Sequence, residues 1–284
     1  MKKKIAITSD CVCDLSDDML EQNGVEVIHF YITTDHGCFK DMDEITSDNI
    51  IEYFERGGQS ISTEAPKPEE YVGFFERVLE NCDEVIHIAI ASSLSLSCKY
   101  AVEAAAKFND KVHIFDTGHL STGIAHFVLK AAELVKENKD VNQIIESLNS
   151  MKNRVSTSFI AENADYLYRT GRVSKAVMVI CNAFLIHPVL TMNNGQMKLK
   201  TIKFGNYEKA VMRYIRKELK NADNIERRRA FITHVTCSVK LISRAKQEVL
   251  NNCFFQELTV TSASATISSN CGANTLGVLF VRNA

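Results

Sequence analysis

The chain runs to 284 residues, 45% hydrophobic and 24% charged, with only 12 Gly and 3 Pro, which excludes collagen-like, low-complexity and disordered classes. Lysine and arginine total 33 against 35 aspartate and glutamate, so no field-wide positive charge marks a nucleic-acid binder, and any bound anion must be held locally. At roughly 150 residues per domain, the length predicts two domains or one large one.

The basic start is followed by an apolar stretch that Thr8-Ser9-Asp10 interrupts at once, too early for a secretory signal. No run reaches the ~18 apolar residues of a membrane span. Cys11 and Cys13 are the one close pair among 9 scattered cysteines, which predicts free thiols in a reducing cytoplasm and no metal site. Ile5 to Thr8 and Val25 to Ile32 read as the first strands. A helix follows over Asn49 to Arg56, with Ser47 or Asp48 as its cap. Tyr71, Phe74, Phe75, Val78 and Leu79 keep the i, i+3, i+4, i+7, i+8 spacing of a helix, and Pro68 suits its first turn.

Val85 to Ala91 is nearly all apolar, as in a strand covered on both faces, and Ser92 to Ser97 then leads into a helix over Tyr100 to Phe108. A strand over Lys111 to Phe115 precedes helices over Thr122 to Lys136 and Val141 to Met151. The second half begins with a strand over Val155 to Ala161. Its hairpin signal Asn193-Asn194-Gly195 lies between Ile186 to Thr191 and Gln196 to Lys203, predicting an antiparallel pair in a mixed sheet. Helices over Tyr207 to Leu219 and Val239 to Leu250 and strands at Ala230 to Val235, near Leu258 and at Leu276 to Val281 complete an α/β chain. The expected organisation is two α/β domains, 1–153 with a mainly parallel sheet and 154–284 with a mixed one.

Two hydroxyl clusters stand out. Thr63 lies in a loop stiffened by Pro66 and Pro68, and Ser92 to Ser97 sits at the carboxyl end of a buried strand, where open α/β sheets bind ligands and helix N-termini favour anions. Ordinary capping by Ser95 or Ser97 explains the second cluster equally well. Neither a G-x-G-x-x-G nor a G-x-x-x-x-G-K-[ST] loop occurs, nor a G-x-S-x-G elbow, and no histidine spacing suggests a metal. Asp10 and Asp14 are candidates for paired acid–base carboxylates or for caps of a following helix.

At these residues the chain resembles the DegV family of bacterial fatty-acid-binding proteins. Ser9-Asp10-Cys11-Val12-Cys13-Asp14-Leu15 is similar to the family's Asp-Ser…Asp-Leu opening, and Thr63-Glu64-Ala65-Pro66-Lys67-Pro68 to its Thr-Ser-x-Pro-Ser-Pro loop. Ala91-Ser92-Ser93-Leu94-Ser95-Leu96-Ser97 resembles Ser-Ser-x-Leu-Ser-Gly-Thr, and Tyr166-Leu167-Tyr168-Arg169-Thr170-Gly171-Arg172-Val173-Ser174 resembles Tyr-Leu-x-x-x-Gly-Arg-Ile-Ser. Ile186-His187-Pro188-Val189-Leu190 and the turn Asn194-Gly195 extend the likeness across the chain. It departs from the family at Leu96, where a Gly is usual, and at Asn270, where a His is usual.

The resemblance implies a non-enzymatic, cytoplasmic lipid carrier that binds one long-chain, palmitate-like fatty acid in a cleft between its domains, with no other cofactor. The carboxylate would rest on Thr63 and Ser95, with Ser92, Asn270 and Arg172 as further candidates. A separate fatty acid kinase would receive the acyl carboxylate, so this chain is at most that kinase's non-catalytic subunit. The rival reading is a serine-dependent hydrolase or acyltransferase on acyl substrates, using Ser92 or Ser95. A regulatory protein with a partner surface at Arg172 or Arg227-Arg228-Arg229 is a third.

Overall fold

The structure, a computed structural model, describes residues 3–284 apart from 59, 170, 172 and 173. The first part of the chain builds β1 (Ile5–Asp10), α1 (Asp17–Asn23), β2 (Val25–Ile28), β3 (Tyr31–Thr34), β4 (Gly37–Lys40) and α2 (Ser47–Glu55). It continues with β5 (Ser62–Glu64), α3 (Pro68–Leu79), β6 (Glu84–Ala89), α4 (Ser97–Ala105), β7 (Val112–Asp116), α5 (Thr122–Lys136) and α6 (Val141–Met151). Four of the strands form a parallel sheet in the order β2-β1-β6-β7. Alternation along β6 divides its side chains: Val85 packs with Tyr71, Phe75 and Ala101 of α3 and α4, while Ile86 and Ile88 pack with Ile124 and Val128 of α5. Burial on both faces explains the unbroken apolar run.

The rest comprises β8 (Val155–Ser156), β9 (Ser158–Ile160), α7 (Asp165–Arg169), α8 (Lys175–Ala183), β10 (Ile186–Asn193) and β11 (Gln196–Phe204). After these come α9 (Tyr207–Glu218), β12 (Ile225–His234), α10 (Val239–Asn252), β13 (Glu257–Ser262), α11 (Ala265–Cys271) and β14 (Leu276–Arg282). Their strands make a seven-stranded mixed sheet, β11-β10-β9-β14-β12-β13 with β8 also on β14. The hairpin forms as its sequence predicts: Asn193 pairs with Gln196, and Asn194 and Gly195 take φ of 49° and 72°, the left-handed pair that a two-residue turn requires. α5 lies between the two larger sheets, its His126 ring 5.1 Å from Phe231 of β12 on one side and its Phe127 ring 5.7 Å from Phe115 of β7 on the other. At Gly123 a Cβ would come within 2.2 Å of Thr157 Oγ1, so only glycine lets the helix approach the second sheet this closely.

Several expectations are corrected. The stretch Val25 to Ile32 is two strands in different sheets, because at Phe30 the backbone turns away, its N–H donating to Cys11 Sγ and its carbonyl accepting Asp41 N–H. β3 instead joins β4 and β5 in a small antiparallel sheet. The stretch Val155 to Ala161 breaks at Thr157, whose carbonyl accepts from Met192 N–H and Thr191 Oγ1. Thr46, not Ser47 or Asp48, caps α2, in a capping box with Asn49. Asp10 and Asp14 are neither a catalytic pair nor caps of the next helix, since Ser16 caps α1 and each carboxylate is buried with partners of its own.

Candidate functional site

Thr63 is the middle residue of β5, opposite Ile32 of β3, and the Pro66-Lys67-Pro68 segment carries the chain from it into α3. Pairing in the small sheet fixes Thr63, and the two prolines fix the exit. The second cluster follows β6. Leu94 N–H closes a turn onto the Ala91 carbonyl, and Ser95 Oγ accepts the Ser97 N–H at 3.1 Å. Neither Ser95 nor Ser97 is the N-cap of α4, which is Leu96; Ser95 bonds the first helical N–H from one residue ahead, and its own O–H stays available to donate. Leu96 has φ −77° in the right-handed region, so the position makes no demand for glycine, and its side chain, 55% exposed, lines the cavity described next.

Thr63, Ser92, Ser95 and Asn270 all line one cavity of about 640 Å³ between the two parts of the chain. Phe30, Ile90, Leu94, Tyr100 and Leu120 supply apolar wall from the first part, and Met197, Ile267 and Cys271 from the second. The size falls within the range of small-molecule sites. Leu120, Ile267 and Cys271 also border a narrower crevice of about 20 Å³ that is walled further in by Phe159, Val235 and Leu279. Arg172 lies outside the described residues.

The N-terminus of α4 already has an anion, and it belongs to the protein. The Asp10 carboxylate is fully buried and accepts from Ser97 Oγ at 2.8 Å, Tyr71 Oη at 2.8 Å and Ile90 N–H at 2.9 Å, with His87 Nε2 at 3.3 Å. Burial opposes its charge, but His87 and the donors from Ile90 and Ser97 outweigh that and hold the carboxyl below its ordinary range. The hydroxyl turn ahead of the helix, not the helix terminus, is what faces the cavity.

The far wall is α11, and two carboxylates from the first part of the chain set its position. Asp41 accepts Ala265 N–H and Thr266 N–H at 2.8 Å each, and Asp14 accepts Ser264 N–H at 2.9 Å and Ser121 Oγ–H at 2.5 Å. Ser47 and Ser268 meet at 2.7 Å alongside. Burial raises both carboxyls, Asp14 to about 7, against the pull of these donors. Asn270 is thereby a helical residue and not a turn residue. Its amide nitrogen donates to the Thr266 carbonyl at 2.9 Å and to Ser269 Oγ at 3.5 Å, leaving its carbonyl oxygen without a protein partner.

Two cavity residues escape a reading of the sequence. Lys67 brings a positive charge to the wall, and the only hint was its place between two prolines. Thr266 sits on a helix whose sequence gives no periodic signal. The triple arginine is a set of internal ion pairs: Arg228 reaches Glu133 at 2.7 Å, and Arg229 bridges Glu133 and Glu257 at 3.3 and 2.6 Å.

Fold and cavity together define a class: an α/β protein of two large sheets and one small one, with a ligand-sized space where its halves meet. The model for a family of uncharacterised proteins, the DegV family, matches residues 4–283, and the chain belongs to that family. A DegV domain-containing protein of Caldanaerobacter subterraneus subsp. tengcongensis is 28% identical over 98% of this chain and 99% of its own. A Thermus thermophilus DegV family protein, whose solved structure is described by its fatty acid binding, matches with a TM-score of 0.90 at 26% identity, covering 99% of this chain and 100% of that one. A Eubacterium eligens DegV family protein loaded with heptadecanoic acid shares the fold, with a TM-score of 0.85 at 16% identity over 98% of this chain and 100% of that one. No helix among the described residues is long and apolar enough to cross a membrane.

Proposed function

We propose that the protein binds one long-chain, palmitate-like fatty acid in the cavity between its two sheets and carries it without chemical change. The domains meeting there are 1–153 and 154–284. The carboxylate accepts hydrogen bonds from Thr63 and Ser95, with Ser92 and Asn270 within the same head-group set. The observation that carries this reading is the convergence of Thr63, Ser95 and Asn270, from three distant segments, on one cavity that also has apolar wall. Structures of DegV relatives with fatty acids support it.

Burying about fifteen methylenes at ~0.8 kcal/mol each gives on the order of 12 kcal/mol gross, before ordering and association costs are subtracted. The tail therefore dominates affinity, and the crevice beyond Leu120, Ile267 and Cys271 is its natural course. With room for about one water, that crevice must widen as side chains yield to the chain. Head-group bonds at roughly 1.5–3 kcal/mol each fix the direction of entry; Lys67 on the wall is paired with Glu64 at 3.6 Å, so hydroxyl and amide donors, not a free cation, answer the head group.

A serine hydrolase needs a base beside its nucleophile. No histidine among the described residues lines the cavity; His119 borders the adjoining cleft with Ser92, but its ring nitrogens meet Thr157 Oγ1 at 2.9 Å and the Lys152 carbonyl at 3.0 Å, and His87 is bonded to Thr8 and Asp10. A carrier that presents its carboxylate to a separate cytoplasmic fatty acid kinase fits such a site, and the family resemblance supplies that partner. Calorimetric titration of delipidated protein with palmitate tests the binding: one saturable site is expected, and no saturation up to the solubility of the lipid overturns the proposal.

A further inference from the structure

Beside the cavity, and sharing Ser92 and Ser93 with it, opens a second cleft of about 790 Å³ of different character. Five cations line it, Lys152, Arg154, Lys198, Lys200 and Arg282, against a single carboxylate, Asp116. The chain as a whole carries a net charge of −2, so this is a local concentration of positive charge. Lys200 is neutralised by Glu218 at 2.7 Å. No carboxylate among the described residues pairs with the other four. Asp116 is occupied by the Gly118 N–H at 2.9 Å and the Ser92 N–H at 3.4 Å.

The other cations are held in place by contacts that leave their charge unspent. Lys152 Nζ stands 4.6 Å from the centre of the Phe115 ring, and the Arg282 guanidinium 5.1 Å from that of Phe280. Arg154 donates through Nε to the Ser150 carbonyl at 3.1 Å and through Nη1 to the Arg282 carbonyl at 3.2 Å, which orients its fork and leaves three of its five N–H donors free. Lys198 projects from β11, the edge strand of the large sheet, on the far side of the cleft from the β8–β14 pair. Four cations spread over this span exceed what one carboxylate would answer.

We propose that this cleft binds an anion bearing two or more linked phosphates, at a site separate from the fatty acid. No glycine-rich loop cradles phosphate here, so recognition rests on side-chain charge. Binding is therefore expected to weaken steeply with salt.

The test is calorimetric titration of the full chain with pyrophosphate, run with sulfate and orthophosphate in parallel and repeated for Lys152→Ala with Lys198→Ala. One pyrophosphate site is expected, at least about tenfold tighter than sulfate, with the double variant weakened about tenfold or more while palmitate affinity stays within about twofold. Lys152→Arg with Lys198→Arg should keep pyrophosphate affinity. ADP binding more tightly than pyrophosphate would assign the phosphates to a nucleotide, and equal binding would assign them to a free polyphosphate; either outcome supports the site. Sulfate binding as tightly as pyrophosphate, or a double variant that binds pyrophosphate unchanged, overturns it. Neither Lys152 nor Lys198 lines the fatty-acid cavity, so loss of palmitate binding in the parent protein would count against that reading alone.

Discussion

Asp41 and Thr266 lie 225 positions apart in sequence and meet at 2.8 Å, the Thr266 N–H donating to one oxygen of the Asp41 carboxylate while the Ala265 N–H donates to the other. One side chain of the first half thus holds the start of α11, and α11 carries Thr266, Ile267, Asn270 and Cys271 into the cavity wall. Asp41→Ala removes both bonds and leaves two buried N–H groups without partners. A loss of about 2–4 kcal/mol in unfolding free energy is expected, together with palmitate binding weakened about tenfold. Chemical denaturation and ligand titration read the two effects. A folded Asp41→Ala protein with parent affinity would show that α11 is held by other contacts.

Asp14 gives a pH dependence. Its carboxyl is raised to about 7 in the folded protein from an ordinary value of 3.8, so between these values the folded state holds a proton that the unfolded chain has released. Stability from this group is fully present below about pH 4 and is lost as pH rises through 7, a change of order 4 kcal/mol. Asp14→Asn keeps an acceptor for Ser264 N–H and offers a donor to Ser121 Oγ, so it should flatten the dependence and stabilise the protein at pH 8. Denaturation midpoints at pH 5 and pH 8 for both proteins check this, and parallel shifts would mean that Asp14 does not titrate in that window.

Thr63→Val with Ser95→Ala should weaken palmitate binding by about tenfold or more and hexadecanol binding far less. The hydroxyls answer the charge of the head group, and a charge-assisted bond is lost only where a charge exists. Ser95→Ala also releases the Ser97 N–H and should cost about 1 kcal/mol of stability as a lost hydrogen bond. Equal losses for acid and alcohol in a competition assay would assign both residues to packing.

Asn270→His should introduce a pH response that the parent lacks. An imidazole beside the carboxylate gains affinity when protonated, so binding should tighten toward pH 5.5 and relax as pH rises through the raised pKa of the complex, in a window of about pH 5.5–7.5. Parallel pH curves for parent and variant would move the head group away from α11.

What the sequence discloses tracks how local each determinant is. α5 and α6 begin and end where the sequence places them, α6 because of its own buried stripe and α5 because its long apolar run is buried on nearly every side. The Asn194-Gly195 turn is equally local. α11 is not: Ala265–Cys271 is short, hydroxyl-rich and buried on all sides, and the carboxylates that start it lie in Asp14 and Asp41. The small sheet that fixes Thr63 is hidden for a similar reason, since the break at Phe30 depends on Cys11 and Asp41 and not on a Gly or Pro. Thr63 and Ser95 are legible as hydroxyls ahead of helices, although Thr63 lies in a strand and not in the loop its prolines suggest, and the family resemblance implies their role. Lys67 was passed over because an isolated lysine between prolines reads as a solvated one.

The most direct measurement is native mass spectrometry, paired with organic extraction, of the protein purified from cells without added lipid. A site that buries a long acyl chain should arrive filled, because ligand at cellular concentrations stabilises the folded state. A mass increment equal to a C14 to C18 fatty acid and about 1 mole of extracted fatty acid per mole of protein are expected. Less than about 0.1 mole per mole from a folded parent protein, with no saturable binding on adding palmitate back, would contradict it.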